Sequence, residues 1–116
     1  MARSATSTSP REPQLWKVRP ASTRAQKEWE AAKKSNPELM QAERVRLTER
    51  PLDRSANPKR THKLKGELAI RVIAGQKFEQ WQHELTGAGR IWYCPDKESR
   101  IIWVTRVSLR HPNETS

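Results

Sequence analysis

Short runs of aromatic and β-branched residues, separated by glycine-containing or polar turns, dominate residues 62–112 of this 116-residue chain. Such runs are typical of β-strands, and consecutive strands that are joined by short turns pair antiparallel. The pattern predicts strands over residues 68–73, 80–86, 90–94 and 100–107. Basic side chains are interleaved with the aromatic ones, so we expect the resulting sheet to carry positive charge.

Two helices are expected before these strands. The first covers residues 23–34, where Ser22 or Thr23 can serve as the N-cap and small or aromatic residues recur at helical spacing. The second covers residues 37–50, with Asn36 as its cap and a proline at its first position. The sequence therefore predicts an α+β fold in which two N-terminal helices pack on a four-stranded, mainly antiparallel sheet.

Length and composition fit a single soluble domain with a polyanionic partner. We divide the chain into a disordered basic N-terminal tail (residues 1–20), a domain (residues 21–112) and a C-terminal tail (residues 113–116). The formal net charge of +10 favours a partner such as nucleic acid. Cys94 is the only cysteine, which excludes an internal disulfide and a cysteine-based zinc site. We see neither a signal peptide nor ~18 consecutive apolar residues, so we expect a cytoplasmic location and no membrane partner.

The segment from His62 to Lys65 is the first candidate binding motif. Lys63 and Lys65 are two residues apart, so in an extended chain they lie on one face and can both contact a phosphate. The alternative is a solvated basic loop, which is common in charged sequences.

Arg90 follows a glycine turn and can hold a phosphate with its forked guanidinium. Tyr93, three residues further on, can stack a base or donate a proton. The alternative is an exposed arginine beside core aromatics. Glu84 is an acid within a strand and is either a general base or an ion-pair partner of Arg71 or Arg90.

Two histidines receive different interpretations. His111 follows Arg110 at the end of the last strand, and an imidazole is the best acid or base near neutral pH. His83 is instead interpreted as a core histidine, because it alternates with apolar residues. Trp81 and Trp92 are either core residues or a platform for stacked bases.

Several catalytic motifs are missing from the sequence. It has no glycine-rich phosphate loop, no HExxH, no carboxylate cluster for Mg²⁺ and no nucleophile elbow. We therefore expect no cofactor and no metal. RNA can be cut without a metal, because its own 2′-hydroxyl can attack the adjacent phosphate when a base, an acid and a cation are supplied.

The order of these motifs resembles the RelE/ParE superfamily of toxins from type II toxin–antitoxin systems, in particular the actinobacterial cytotoxic translational repressors. The shared elements are Leu-Lys-Gly at residues 64–66, a Trp-containing strand at residues 81–85, Gly-Arg-hydrophobic-x-Tyr at residues 89–93, and Arg-His-Pro at residues 110–112. The resemblance extends over residues 22–112. It implies two helices against a curved antiparallel sheet and metal-independent cleavage of mRNA in the ribosomal A site.

The resemblance also implies roles for individual residues. Arg90 would bind the scissile phosphate, His111 would be the general acid, and Lys63 would be the base. Glu84, which the residues alone offer as a general base, is the other candidate for that role. RelE has two strand lysines where this chain has Gln82 and Glu84, so the RelE lysine mechanism does not carry over. The residues expected to hold RNA are His62, Lys65, Arg71, Tyr93 and Arg110.

The implied partners are mRNA on the ribosome and a cognate antitoxin protein. Two alternatives stay open: a ParE-like inhibitor of gyrase, and a catalytically inactive relative that only binds RNA.

Overall fold

A computed structural model describes residues 14–55, 58–85 and 87–109, and it shows an α+β fold. Five strands form a mixed sheet in the order β1–β7–β6–β5–β2, and β3 and β4 form a separate two-stranded sheet. The elements in chain order are β1 (Lys17–Pro20), α1 (Thr23–Ser35), α2 (Pro37–Glu49), β2 (Thr61–Lys63), a 3₁₀ turn (Gly66–Leu68), β3 (Ile70–Ile73), β4 (Gln76–Glu79), β5 (Trp81–Glu84), β6 (Arg90–Asp96) and β7 (Ile101–Ser108).

The two helices confirm the sequence prediction, because their start signals are local. The side chain of Ser22 accepts a hydrogen bond from the Ala25 amide, and Asn36 Oδ1 accepts one from the Leu39 amide at 3.2 Å. These bonds satisfy amides that have no partner within a helix's first turn. No helix among the described residues is long and apolar enough to cross a membrane.

The core lies between the helices and one face of the five-stranded sheet, which we call the helix face. Apolar side chains from both helices meet alternate residues of β5, β6 and β7 there, as the two-residue period of a strand requires. The principal members are Ala32, Met40, Leu47, Trp81, Ile91, Tyr93, Ile102, Val104 and Val107.

The predicted four-stranded antiparallel sheet is wrong at one edge, where the structure has an additional strand. β1 pairs in parallel with β7, in a register that sets Lys17 opposite Ile101. Residues 14–20, which the sequence placed in the N-terminal tail, are part of the fold in this structure. Trp16 is buried in the core, and its amide donates to the carbonyl of Thr48 at 2.9 Å. Residues 1–13 lie outside the described residues.

The other correction concerns the strand expected over residues 68–73. This segment supplies β3, which pairs with β4 and not with the five-stranded sheet. Ala74 and Gly75 have φ values of 51° and 82°, so the chain reverses within two residues, as tight β-hairpins require. The place beside β5 is taken by β2, in antiparallel register with Thr61 opposite His83.

A glutamate from α1 completes the outer edge of the sheet. Among the described strands, β1 pairs only with the first half of β7, which leaves the second half without a partner on that side. There Glu28 accepts hydrogen bonds from the Val107 amide at 2.8 Å and from Arg106 Nε at 3.1 Å. The carboxylate therefore satisfies an edge amide and ties α1 to β7.

Candidate nucleic-acid interface

A surface depression of about 660 Å³ opens at the outer edge of β2, and we call it the basic concavity. Four of its five lining side chains are basic. It is lined by Arg54, His62, Lys63, Leu64 and Lys65. Three of the four basic residues, His62, Lys63 and Lys65, belong to the motif that the sequence indicates.

The edge position of β2 explains this arrangement. Leu64 N donates to Gln80 O, and Glu84 N donates to Arg60 O, both at 2.8 Å. In an antiparallel pair these bonds turn the even-numbered residues of β2 toward β5, so the amides of Lys63 and Lys65 point to the outer edge. Outward amides beside lysine side chains are suitable donors for phosphate oxygens.

Arg54 is a member of the concavity that the sequence analysis missed. Its Nε donates to the carbonyl of Thr61 at 2.9 Å, which holds the guanidinium at the edge of β2. Arg54 lies in the loop after α2, and its approach to the His62–Lys65 segment depends on the pairing of β2 with β5. No local pattern in the sequence indicates that pairing.

Lys63 is held by two weak contacts at the surface. Its Nζ lies 3.3 Å from the carboxylate of Glu79, and both side chains are 55% exposed. The same ammonium lies 6.0 Å from the ring centroid of Trp81. Exposed ion pairs contribute about 0–1 kcal/mol, so a phosphate can replace Glu79 as the partner of Lys63 at little cost.

A second basic surface lies on the sheet face opposite the helices. We call it the open face, and it comprises His62, Gln82, Glu84, Arg90, Trp92 and Arg106. One row of it crosses four strands, because His62 is paired with Gln82, Gln82 with Trp92, and Trp92 with Arg106. His62 also lines the basic concavity, so the two surfaces are continuous.

The side chains of this row contact one another in sequence. Trp92 Nε1 donates to Gln82 Oε1 at 2.7 Å, and Gln82 Nε2 lies 3.5 Å from His62 Nε2. The guanidinium carbon of Arg106 lies 5.8 Å from the ring centroid of Trp92. The row therefore holds an imidazole, an amide, an indole and a guanidinium side by side.

Arg90 and Glu84 are cross-strand neighbours in the adjacent row. Within the described ranges, neither Arg90 nor Arg71 forms an ion pair with Glu84. Two strand spacings and two residues along the strand separate His62 from Arg90, which places their Cα atoms about 12 Å apart. Both side chains can therefore reach one strand of nucleic acid. The roles of Arg90 and Glu84 in catalysis remain predictions.

Arg71 lies on the β3–β4 hairpin, outside the basic concavity. It is paired with Phe78, and its charge acts on the thiol of Cys94. Burial raises the pKa of Cys94 to about 12, and Arg71 offsets only part of this effect. Arg71 is thus near the sheet but apart from the lysines with which the sequence analysis grouped it.

The prediction that Tyr93 holds RNA is wrong in this structure, because the side chain is fully buried. Its hydroxyl donates to the carbonyl of Pro51 at 2.7 Å, and its ring stacks against Trp81 with centroids 6.4 Å apart. Burial raises the pKa of Tyr93, and the nearby Arg46 partly opposes the rise. Alternation along β6 places Trp92, not Tyr93, on the open face.

His83 is a satisfied histidine of the interior, as the sequence analysis interpreted it. Its Nδ1 lies 2.7 Å from Thr61 Oγ1, and its Nε2 lies 3.7 Å from Glu43. Burial lowers the pKa of His83 to about 3, with Arg46 and Arg60 acting in the same direction. The ring is therefore neutral at pH 7, and its contact with Glu43 is not an ion pair.

The carboxylate of Glu43 forms an ion pair with Arg46 on the same helix. The guanidinium donates to both carboxylate oxygens, at 2.8 Å and 3.0 Å. Burial raises the pKa of Glu43, and the hydrogen bonds from Arg46 offset part of that rise. This pair lies on α2, on the helix side of the sheet. It is therefore not part of the open face.

His111 and Arg110 lie outside the described residues. Within the described part of the chain, no three His, Cys, Asp or Glu side chains gather as metal ligands would. The expectation of a metal-free reaction stays a prediction.

No protein-family model, no curated protein and no solved structure matches this chain.

Proposed function

We propose that this protein is a toxin of the RelE/ParE type that binds mRNA on the ribosome and cuts it without a metal. The observation that carries the proposal is the basic concavity, where Arg54, His62, Lys63 and Lys65 surround one depression. Its continuity with Arg90 through the open face supports a path for an RNA backbone about two nucleotides or more in length.

Charge and architecture add support. The net charge of +10 supplies the general attraction for phosphates that dominates nucleic-acid affinity. The helices cover one face of the sheet, and on the other face Glu84 is exposed and Arg90 is partly exposed, so a chain of phosphates can reach Arg90 without unfolding any element. The same charge suits an acidic antitoxin segment as the protein's regulator.

The chemistry we propose uses the RNA's own 2′-hydroxyl. Glu84 takes the hydroxyl proton, the 2′-oxygen bonds to phosphorus, and the bond to the 5′-oxygen breaks. Arg90 stabilises the charge on the phosphate, and His111 gives a proton to the leaving oxygen. The products are a 2′,3′-cyclic phosphate and a 5′-hydroxyl.

The structure favours Glu84 over Lys63 as the base. Lys63 is in an ion pair with Glu79 and lines the concavity, which suits binding of a flanking phosphate. Glu84 is exposed and lies directly opposite Arg90, so a phosphate held by Arg90 brings its 2′-hydroxyl close to this carboxylate.

A specific observation keeps the RNA-binding alternative in view. Among the described residues, His83 lies on the helix face with its pKa lowered to about 3. It therefore cannot act as the general acid for a phosphate that Arg90 holds on the open face. If neither His111 nor His62 on the open face is the acid, the protein would bind RNA without cutting it. Inhibition of gyrase is the remaining alternative, and it would use the same basic surface.

Cell-free translation of a defined message tests the proposal. Primer extension should map breaks in the translated message when the protein is added, and the upstream fragments should end in 2′,3′-cyclic phosphates. Arg90→Ala should reduce cleavage about 10²–10³-fold, as expected when one group that stabilises transition-state charge is removed. Lys34→Ala, which removes an exposed charge at the end of α1, is the matched control and should cut normally.

Each failure has a distinct meaning. RNA binding without breaks would support the inactive relative. Loss of gyrase supercoiling activity with intact mRNA would support the ParE-like alternative. Full cleavage by Arg90→Ala would remove Arg90 from the mechanism.

A further inference from the structure

Trp92 occupies the centre of the open face, and nothing in the proposed cleavage chemistry uses it. It lies on β6 between Gln82 on one neighbouring strand and Arg106 on the other. Its side chain is partly exposed, whereas Tyr93 beside it is fully buried. A tryptophan in a core role would instead be expected on the helix face.

The indole is held in one orientation. Its Nε1 donates to Gln82 Oε1 at 2.7 Å, so the polar atom of the ring is already satisfied within the protein. What Trp92 offers to a ligand is therefore its π surface. Arg106, 5.8 Å from the ring centroid, is itself fixed by hydrogen bonds to Glu28.

Charged groups flank the ring at spacings suited to a phosphate backbone. Arg90 lies two residues before Trp92 on the same face, and Arg106 lies opposite it on β7. His62 lies at the end of the same row and also lines the basic concavity. Proteins that bind single strands combine such a basic track with aromatic rings on which bases stack.

We propose that Trp92 is a base-stacking site for single-stranded RNA, flanked by the guanidinium of Arg106. This inference rests on the proposed RNA-binding function and names the form of RNA that the site takes. A base can reach the indole only when it is not already stacked in a helix, so duplex RNA of the same length binds more weakly. Stacking on Trp92 also places the adjoining phosphate beside Arg90.

The test uses the full chain, without ribosomes, and fluorescence anisotropy of a labelled 12-nucleotide oligoadenylate. Trp92→Leu should raise the Kd about 5–150-fold, which is the loss expected for one stacked base. Trp92→Phe should lie between Leu and wild type. Trp29→Leu, on the helix α1, is the matched control, because it removes an indole from the other side of the sheet.

Salt dependence separates stacking from charge. Trp92→Leu removes no charge, so the slope of log Kd against log salt should equal that of wild type. Arg90→Ala should reduce that slope by about 1, as expected for one lost phosphate contact. Circular dichroism on every variant confirms that each one is folded before its affinity is compared.

Four results would overturn the inference. Affinity of Trp92→Leu equal to that of Trp29→Leu would exclude stacking, and so would equal binding of the 12-nucleotide strand and its duplex. Loss of affinity in Trp92→Leu without any recovery in a folded Trp92→Phe would indicate a packing role. If wild type binds no RNA at low salt, both this inference and the proposed function fail, whereas retained charge-dependent binding would leave the proposed function standing.

Discussion

Removing the hydroxyl of Tyr93 should lower stability and leave RNA binding unchanged. Tyr93 is fully buried in the core, so Tyr93→Phe deletes one oxygen from the interior and nothing from the surface. The ring remains, and with it the stack against Trp81, so no large cavity forms.

The magnitude follows from the contacts of that oxygen. The hydroxyl donates to the carbonyl of Pro51 at 2.7 Å, and Pro51 is itself buried. Its second neighbour, Arg46 Nη2, is at the long distance of 3.5 Å and contributes less. Leaving a buried carbonyl without its donor costs about 1–3 kcal/mol. For a domain of this size each kcal/mol lowers Tm by roughly 4–8 °C.

Urea denaturation and RNA anisotropy measure the two expected effects on the same samples. The free energy of unfolding of Tyr93→Phe should fall by about 1–3 kcal/mol, and its Kd for oligoadenylate should stay within about twofold of wild type. A weaker RNA affinity with unchanged stability would show that the hydroxyl contacts the substrate. That result would contradict the assignment of Tyr93 to the core.

Two further predictions concern the interior and the sheet edge. Because the pKa of His83 is about 3 in the folded protein and about 6.5 when unfolded, stability should decrease as pH falls from 7 toward 4, by at most about 3.5 kcal/mol. The raised pKa of Glu43 opposes part of this decrease. His83→Gln should flatten the measured profile of unfolding free energy against pH. An equally steep profile in that variant would exclude His83 as the cause. Glu28→Ala should cost about 1.5–3 kcal/mol, because a charged acceptor of the Val107 amide is lost, whereas the exposed Glu30→Ala should change the urea midpoint little. Equal midpoints for the two variants would show that Glu28 does not hold the edge.

The sequence predicted elements whose signals are local. Both helices begin where Ser22 and Asn36 can cap them, and both caps form the expected hydrogen bonds. The grouping of His62, Lys63 and Lys65 also held, because three neighbours on one extended segment reach the same edge whatever lies across from them.

Elements that depend on distant partners were missed. Residues 17–20 form β1 only because they align with Ile101 and its neighbours, far along the chain. The run is four residues long, ends in Pro20 and follows a polar tail, so no periodicity marks it as a strand. β2 was missed for the same reason, since Thr61–Lys63 contains no apolar residue.

The turn after β3 begins one residue earlier than its glycine indicates. Gly75 marks residues 75–77 as the turn that the sequence alone predicts. In the structure Ala74 already has a positive φ, which is uncommon for alanine, and β4 begins at Gln76. The reversal sets Ile73 opposite Gln76, so β3 and β4 pair as a two-residue hairpin.

An extra residue in β7 decides which side chains reach the open face. Tyr93 is paired with Val104, but the preceding Trp92 is paired with Arg106. Thr105 is therefore the additional residue of a β-bulge, and its hydroxyl is used inside the protein, where it donates to Gln80. Two consecutive residues, Val104 and Thr105, are buried as a result.

Regular pairing without this bulge would reverse the second half of β7. Arg106 would stand opposite Ile91 and face the core, and Val107 would stand opposite Arg90 on the open face. The bulge instead sets the guanidinium of Arg106 beside Trp92 and places Val107 among the helices. The alternation that correctly identifies Ile91 and Tyr93 of β6 as core residues fails in β7 because of that one residue. The pairing of an indole with a guanidinium on the open face, on which the stacking proposal depends, is therefore a product of sheet register that neither strand's own pattern contains.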